Sequence, residues 1–225
     1  MTVITISREF ASGGSGIGEK VAQALGCHFV DKDTIGRVLT QYGLPEFKTE
    51  YDAAPPNFWD RFDVQRMERR EQMVSLLNQT ILAVARHGNT IIVGRCGFVV
   101  LKDYVDVINV RLQAPLPSRI RRVMERDTVT DSAQAEAMVK EGDKVRASFV
   151  ETFYGARWDA ADAFDVVVDT DKVPADMAAT WLAEAARALA ARTASLAPIT
   201  RSIEPDAILA SAVSAELKCE ADHTQ

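Results

Sequence analysis

Between residues 3 and 26 an apolar strand pattern (Val3, Ile4, Ile6) runs into a loop dense in glycine and serine, then into a helical pattern opening near Ser15 and closing at Gly26. No other stretch constrains the fold as strongly. Three glycines and two serines just before a helix leave several backbone N–H groups unpaired at the positive end of its dipole. That arrangement suits an anion, most often a phosphate. Glycine is required where the backbone approaches a ligand closely or turns to positive φ. A plain strand–loop–helix connection needs far fewer of them. Ser12, Gly13, Gly14, Ser15 and Gly16 are therefore the expected phosphate-holding residues.

The rest of the chain alternates strand and helix patterns. Residues 27–30 form a second short strand ending at Asp31, and Asp33 or Thr34 is placed to cap a helix through Ile35, Val38 and Leu39. Residues 43–57 carry three prolines and read as a loop or excursion. Apolar positions from Phe58 to Arg86 recur at helical spacing, giving one long helix or two joined. The run from Thr90 to Val93 is apolar on both faces, as a central strand of a parallel sheet requires, and it ends in Gly94 and Arg95. A strand over 105–112 precedes a basic helix bearing Arg119, Arg121, Arg122 and Arg126. Asp131 or Ser132 caps a further helix to about Tyr154, residues 164–169 form the last strand, and a closing helix starts at Val173 and Pro174. Strands alternating with helices predict a parallel sheet covered on both faces. Right-handed crossovers then bring the glycine-rich loop, Asp31 and Arg95 together at the carboxyl ends of the strands.

Bulk properties exclude several classes of function. The 225 residues suit one domain (1–196) with a C-terminal tail (197–225) that holds a short helix. That tail is free to pack on the domain, mediate dimer contacts or stay mobile. A formal charge of −6 argues against broad nucleic-acid binding. No apolar run is long enough for a bilayer, and the N-terminus lacks the basic and apolar regions of a signal peptide. Three scattered cysteines and three dispersed histidines suggest neither a disulfide framework nor a zinc site. A cytoplasmic protein without membrane or nucleic-acid partners is expected, and a homo-oligomer is left open.

Six stretches together carry a resemblance: residues 6–14, 29–35, 92–96 and 143–147, the Trp158 region, and residues 164–170. In this order and spacing they resemble the cytidylate kinase-like family of P-loop nucleoside monophosphate kinases. The resemblance covers the chain to about Arg192 and implies a three-layer α/β/α P-loop fold with a parallel central sheet and a helical monophosphate-binding and lid region. It also implies transfer of a phosphoryl group from ATP, with Mg2+, to a nucleoside monophosphate, CMP or dCMP being favoured. Small-molecule nucleotides are then the partners. Asp31 and Arg37 fall in the family's acceptor-binding segment, and Asp143 and Arg146 match its base and phosphate contacts. Arg95 stands where a guanidinium grips phosphate bidentately. Arg119 and Arg122 lie on the helix that forms a lid over ATP; their plainer reading is a solvated face.

Two departures stand out. In the GxxxxGK[ST] loop a lysine reaches the β/γ-phosphates; here that place falls on Gly14, and Lys20 lies more than a turn further on. Arg8 is the cation nearest in sequence to supply the missing charge. Secondly, cytidylate kinases carry an acid directly after Gly-Arg, and this chain has Cys96. A non-catalytic nucleotide-binding module is the alternative that these departures favour. A short-chain dehydrogenase is another, since residues 11–18 resemble its glycine-rich turn and Asp31 follows the second strand. Against it, no Tyr-x-x-x-Lys pair exists.

Overall fold

The computed structural model describes residues 2–43, 64–192 and 198–218. Strand β1 (Val3–Arg8) is central because its first five residues are buried, apolar or short and polar, which only an interior strand tolerates. It pairs in parallel with β3 (Thr90–Val93) on one side and β4 (Val107–Gln113) on the other. Strands β2 (His28–Val30) and β5 (Val166–Asp169) complete a parallel sheet of order β2-β3-β1-β4-β5.

Side chains alternate between the two faces of each strand, so the sheet feeds two cores. Val3, Val30, Ile92 and Val107 face α2 (Lys32–Gln41), α3 (Val64–His87) and α8 (Ala207–Glu216), meeting Leu39, Ile81 and Val213. Ile4, Ile6, Ile91, Val93 and Val110 face α1 (Gly14–Leu25) and α7 (Ala175–Arg192), meeting Ile17, Val21 and Leu182. Full burial of each such side chain contributes about 1.5–3 kcal/mol. The result is the three-layer α/β/α architecture expected from the alternating pattern. Short α4 (Gly97–Val100) follows β3, and α5 (Leu116–Asp127) and α6 (Ser132–Tyr154) form a hairpin beyond the carboxyl end of β4.

Several expected boundaries shift for local reasons. Asp31, rather than Asp33 or Thr34, caps α2: its extended backbone lets Oδ1 accept from the Asp33 and Thr34 amides, both at 3.0 Å. Of the two candidates for α6, Asp131 is the cap, accepting from the Ala133 amide at 2.9 Å. The third strand stops at Val93 because Gly94, Arg95 and Cys96 are all left-handed, with φ of 81°, 55° and 58°. The expected excursion beyond Gly43 and the helical residues 58–63 lie outside the described residues.

Residues 198–218 pack on the domain. The Val105 amide donates to Pro198 O at 3.0 Å, and buried Asp106 accepts from the Thr200 amide (2.9 Å) and Thr200 Oγ1 (2.7 Å). Leu209 and Val213 of α8 are buried against α2 and α3. No helix among the described residues is long and apolar enough to cross a membrane.

At the far end of the sheet His28 and His87 meet edge to face, with ring centroids 5.4 Å apart. Burial, and then the neighbouring His87 ring, hold the His28 imidazole below its ordinary value. The folded state therefore disfavours protonation that the unfolded chain accepts from about pH 6.5 downward. Stability is expected to fall as pH drops from about 6.5 through the folded-state value, with a shallower slope in His28→Gln. Urea midpoints at pH 7.5 and 5.5 measure it; equal slopes in the two proteins would place the acid sensitivity elsewhere.

Candidate active site

Beyond β1 the chain does not enter α1 directly. The Glu9 amide extends the ladder to Leu112 O (3.0 Å), and both the amide and Oγ of Ser12 turn back to Glu9 O. Ala11 and Gly13 take φ of 61° and 81°, Gly13 being the helix cap. The first helical bond runs from the Ile17 amide to Gly13 O at 3.2 Å. The amides of Gly14, Ser15 and Gly16 therefore precede the helical ladder, and Ser15 and Gly16 are exposed. Amides exposed ahead of a helix are the feature from which the sequence predicts phosphate binding.

Four charged side chains brace the loop from behind. Glu9 accepts from the Ala114 amide at 3.0 Å and lies 3.4 Å from Arg119 Nε and 3.6 Å from Arg111 Nη2. Arg119, almost fully buried, also donates to Ala114 O (2.9 Å), Phe10 O (3.3 Å) and Asp143 Oδ2 (2.5 Å). Asp143 Oδ1 in turn accepts from the Phe10 amide at 2.7 Å. Arg122 donates to Thr170 O (2.7 Å) and Ala11 O (3.4 Å), and Thr170 Oγ1 donates to Ser12 O at 2.8 Å. Arg119 and Arg122, expected at a lid, and Asp143, expected at an acceptor base, are engaged with the loop in this structure. These three side chains hold the Phe10–Ser12 backbone and line no part of the cavity described next. Arg121 and Arg126 are the solvated members of the basic helix; Arg121, its side chain 64% exposed, lies 3.8 Å from Asp171.

A cavity of about 770 Å³ opens at the carboxyl ends of β1 and β3, within the range usual for small-molecule sites. Its cations come from four separate elements: Arg8 ends β1, Lys32 starts α2, Arg95 follows β3 and Arg146 belongs to α6. Its one acid among the described residues is Glu141. Phe10, Phe98, Phe149 and Trp158 supply aromatic walls. Arg111 holds the Trp158 wall, donating to its carbonyl at 2.7 Å and lying 4.6 Å from the ring centroid. Arg146 lies 5.2 Å from the Phe10 ring centroid and donates to Gly142 O. Burial lowers the Arg146 pKa, with Asp143 favouring its charge and Arg95 opposing it. Two guanidiniums that repel each other in a partly dry cavity form a site an anion relieves. Burial also pushes the Cys96 thiol up to about 12, against smaller opposing effects of a Tyr154 hydrogen bond and the Arg95 charge. At neutral pH it is a protonated thiol.

The model of the cytidylate kinase-like family matches residues 3–172, a span that includes the loop, the turn after β3 and all of α6. The chain belongs to the cytidylate kinase-like family. A cytidylate kinase from Ignicoccus hospitalis is 30% identical over 173 residues, covering 76% of this chain and 90% of that protein. An uncharacterized protein from Eubacterium ventriosum shares the fold, with a TM-score of 0.61 at 21% identity over 83% of this chain and 99% of the other.

Within this member of the family, two expected acceptor residues are not part of the cavity lining. Asp31 is taken up as the cap of α2, and Arg37 pairs with Glu216 of α8 at 2.5 Å, a partner beyond the family match. Lys20 points to Asp176 of α7 at 2.6 Å. Arg95 and Arg146 do meet in the cavity, while loop residues 12–16 lie beside it rather than in its lining. Lys32, Phe10 and Trp158 fall within stretches that carry the family resemblance, but neither they nor Phe98 and Phe149 stood out as cavity residues, because their convergence is long-range. Sheet order also removes the dehydrogenase reading. In the doubly wound dinucleotide fold β2 lies next to β1, whereas here β3 separates them and carries Asp31 away from the loop.

Because Arg119 is buried between two carboxylates, Arg119→Met is expected to lower folding stability by about 3 kcal/mol, as when one partner of a buried pair is removed. Denaturant unfolding reads this; a stable variant with reduced turnover would restore Arg119 to a lid.

Proposed function

We propose that this chain is an ATP-dependent phosphotransferase acting on nucleoside monophosphates, with CMP or dCMP the favoured acceptor. The convergence of Arg95 and Arg146 in an aromatic-walled cavity, beside the free amides of α1, carries this reading. Membership of the cytidylate kinase-like family supports it.

Phosphoryl transfer needs little covalent chemistry from a protein. It needs in-line positioning and neutralisation of charge on the moving group. In this reading Gly13 to Gly16 receive the donor phosphates on their backbone amides, and the loop is held rigid by Arg119, Arg122 and Asp143. Arg95 and Arg146 grip the acceptor phosphate, whose charge relieves their mutual repulsion. The aromatic side chains sandwich the acceptor base and keep water from the reacting oxygens.

Magnesium is the usual companion of ATP and is held mostly by phosphates and water with one or two protein oxygens, for which Ser15, directly after the lysine place at Gly14, offers a hydroxyl. A hard cation wants oxygen ligands, and the cavity offers Glu141 and a protonated thiol. No cluster of three acidic, histidine or cysteine side chains occurs among the described residues. No step is therefore assigned to a protein-bound metal. The missing loop lysine and the missing acid after Gly94-Arg95 favour a second reading, a nucleotide-binding module without turnover.

A coupled ADP-release assay with Mg-ATP and each of CMP, dCMP, UMP, AMP and GMP separates the two. Turnover above the blank is expected, highest with CMP or dCMP. Arg95→Ala and Arg146→Ala should each weaken monophosphate binding by about 1.5–3 kcal/mol, the range for hydrogen bonds to charged groups. Tight binding with no turnover of any acceptor would establish the module instead.

A further inference from the structure

We infer that Arg8 is the cation that meets the donor phosphates, delivered from the end of β1 in place of a lysine at the start of α1. This rests on the phosphotransferase reading and deepens it. The place where a P-loop lysine belongs is Gly14, and a Cβ there would lie 2.8 Å from both Cβ and Cγ of Arg8. The stem of Arg8 thus fills the space that a side chain on Gly14 would leave by. Its head runs on towards β3: a Cβ at Gly94 would overlap Arg8 Nη1 and come within 3.0 Å of Cζ.

One side chain therefore passes under the start of α1 and ends at the carboxyl end of β3, next to Arg95, where it lines the cavity. Both glycines are explained by the same side chain. Gly14 gives room to its stem and Gly94 to its head. A lysine on α1 would bring a point charge to the phosphates; a guanidinium held from below brings a planar fork that takes two oxygens at once. The absence of a loop lysine is, on this geometry, a relocation of the charge.

The test uses the full chain and two readouts. Arg8→Met retains the packed stem and removes the head; Arg8→Ala also opens space for a soluble guanidinium. Binding of inorganic tripolyphosphate, followed by calorimetry, needs no acceptor and no catalysis. Arg8→Met is expected to lose about tenfold or more in tripolyphosphate affinity, as for a lost charge-assisted hydrogen bond. Turnover should fall about 10²- to 10³-fold, as when a preorganised charge-stabilising donor is removed. Ethylguanidinium should restore part of the turnover in Arg8→Ala and none in Arg8→Met. Wild-type affinity for tripolyphosphate in Arg8→Met overturns the inference. So does a loss that ethylguanidinium leaves unrepaired while the urea midpoint falls in step, since Arg8 is then a structural residue. A wild-type chain that holds tripolyphosphate through Arg8 yet transfers nothing supports the inference and sinks the kinase reading alone.

Discussion

Two carboxylates, Glu9 and Asp143, close on the Arg119 guanidinium, and the shape of the phosphate loop depends on that cluster. Desolvating three charges costs several kcal/mol per ion unless hydrogen bonds satisfy what remains of them. Here they are satisfied largely by the loop's own backbone: the Phe10 amide donates to Asp143, and Phe10 O and Ala114 O accept from Arg119. Phe10 thus has both main-chain groups tied to the α5–α6 hairpin. Its ring is left to project into the cavity, between Arg126 and Arg146 at 5.4 and 5.2 Å. The helix expected to act as a lid is, in this structure, bonded to the loop through Arg119 and Arg122.

With the loop anchored from that side, the cavity can concentrate like charge. Burial makes the Arg146 charge more costly, Asp143 offsets part of that and Arg95 adds a smaller cost. Three successive left-handed residues, two of them not glycine, carry Arg95 and Cys96 to the cavity's edge. Each non-glycine left-handed residue costs on the order of 1–3 kcal/mol and persists only where the surroundings over-determine it. Here the surroundings are the packed strand β3 before the turn and α4 after it, with Gly97 against Thr5. Strain and like charge are gathered at one point, the turn after β3.

Much of this was legible in the residues themselves. The apolar runs at 3–6 and 90–93 specify interior strands, Gly26 closes α1 and Asp206 opens the tail helix, because period and capping depend on neighbours within a few positions. Order and spacing of short motifs sufficed for the family, and Arg95 stood out as a charge directly after a fully apolar strand. Where two local solutions competed, the sequence alone chose wrongly: Asp33 and Thr34 look like caps, but Asp31 has the extended backbone that a cap needs.

What the tertiary structure alone decided is the partner of each charge. Arg37 meets Glu216 across 179 residues, and Asp143 meets Phe10 across 133. A spacing of three on a helix, as for Asp143 and Arg146, shows that two side chains are neighbours, not that they serve the same ligand. Likewise Arg119 reads as one more cation on a basic helix until the fold buries it between carboxylates from β1's end and α6. Backbone pattern is set by local sterics and by which face meets water, so it can be read along the chain. The pairing of buried charges is set by which distant segments the sheet order brings together, and for this chain that order, β2-β3-β1-β4-β5, exists only once the whole domain has folded.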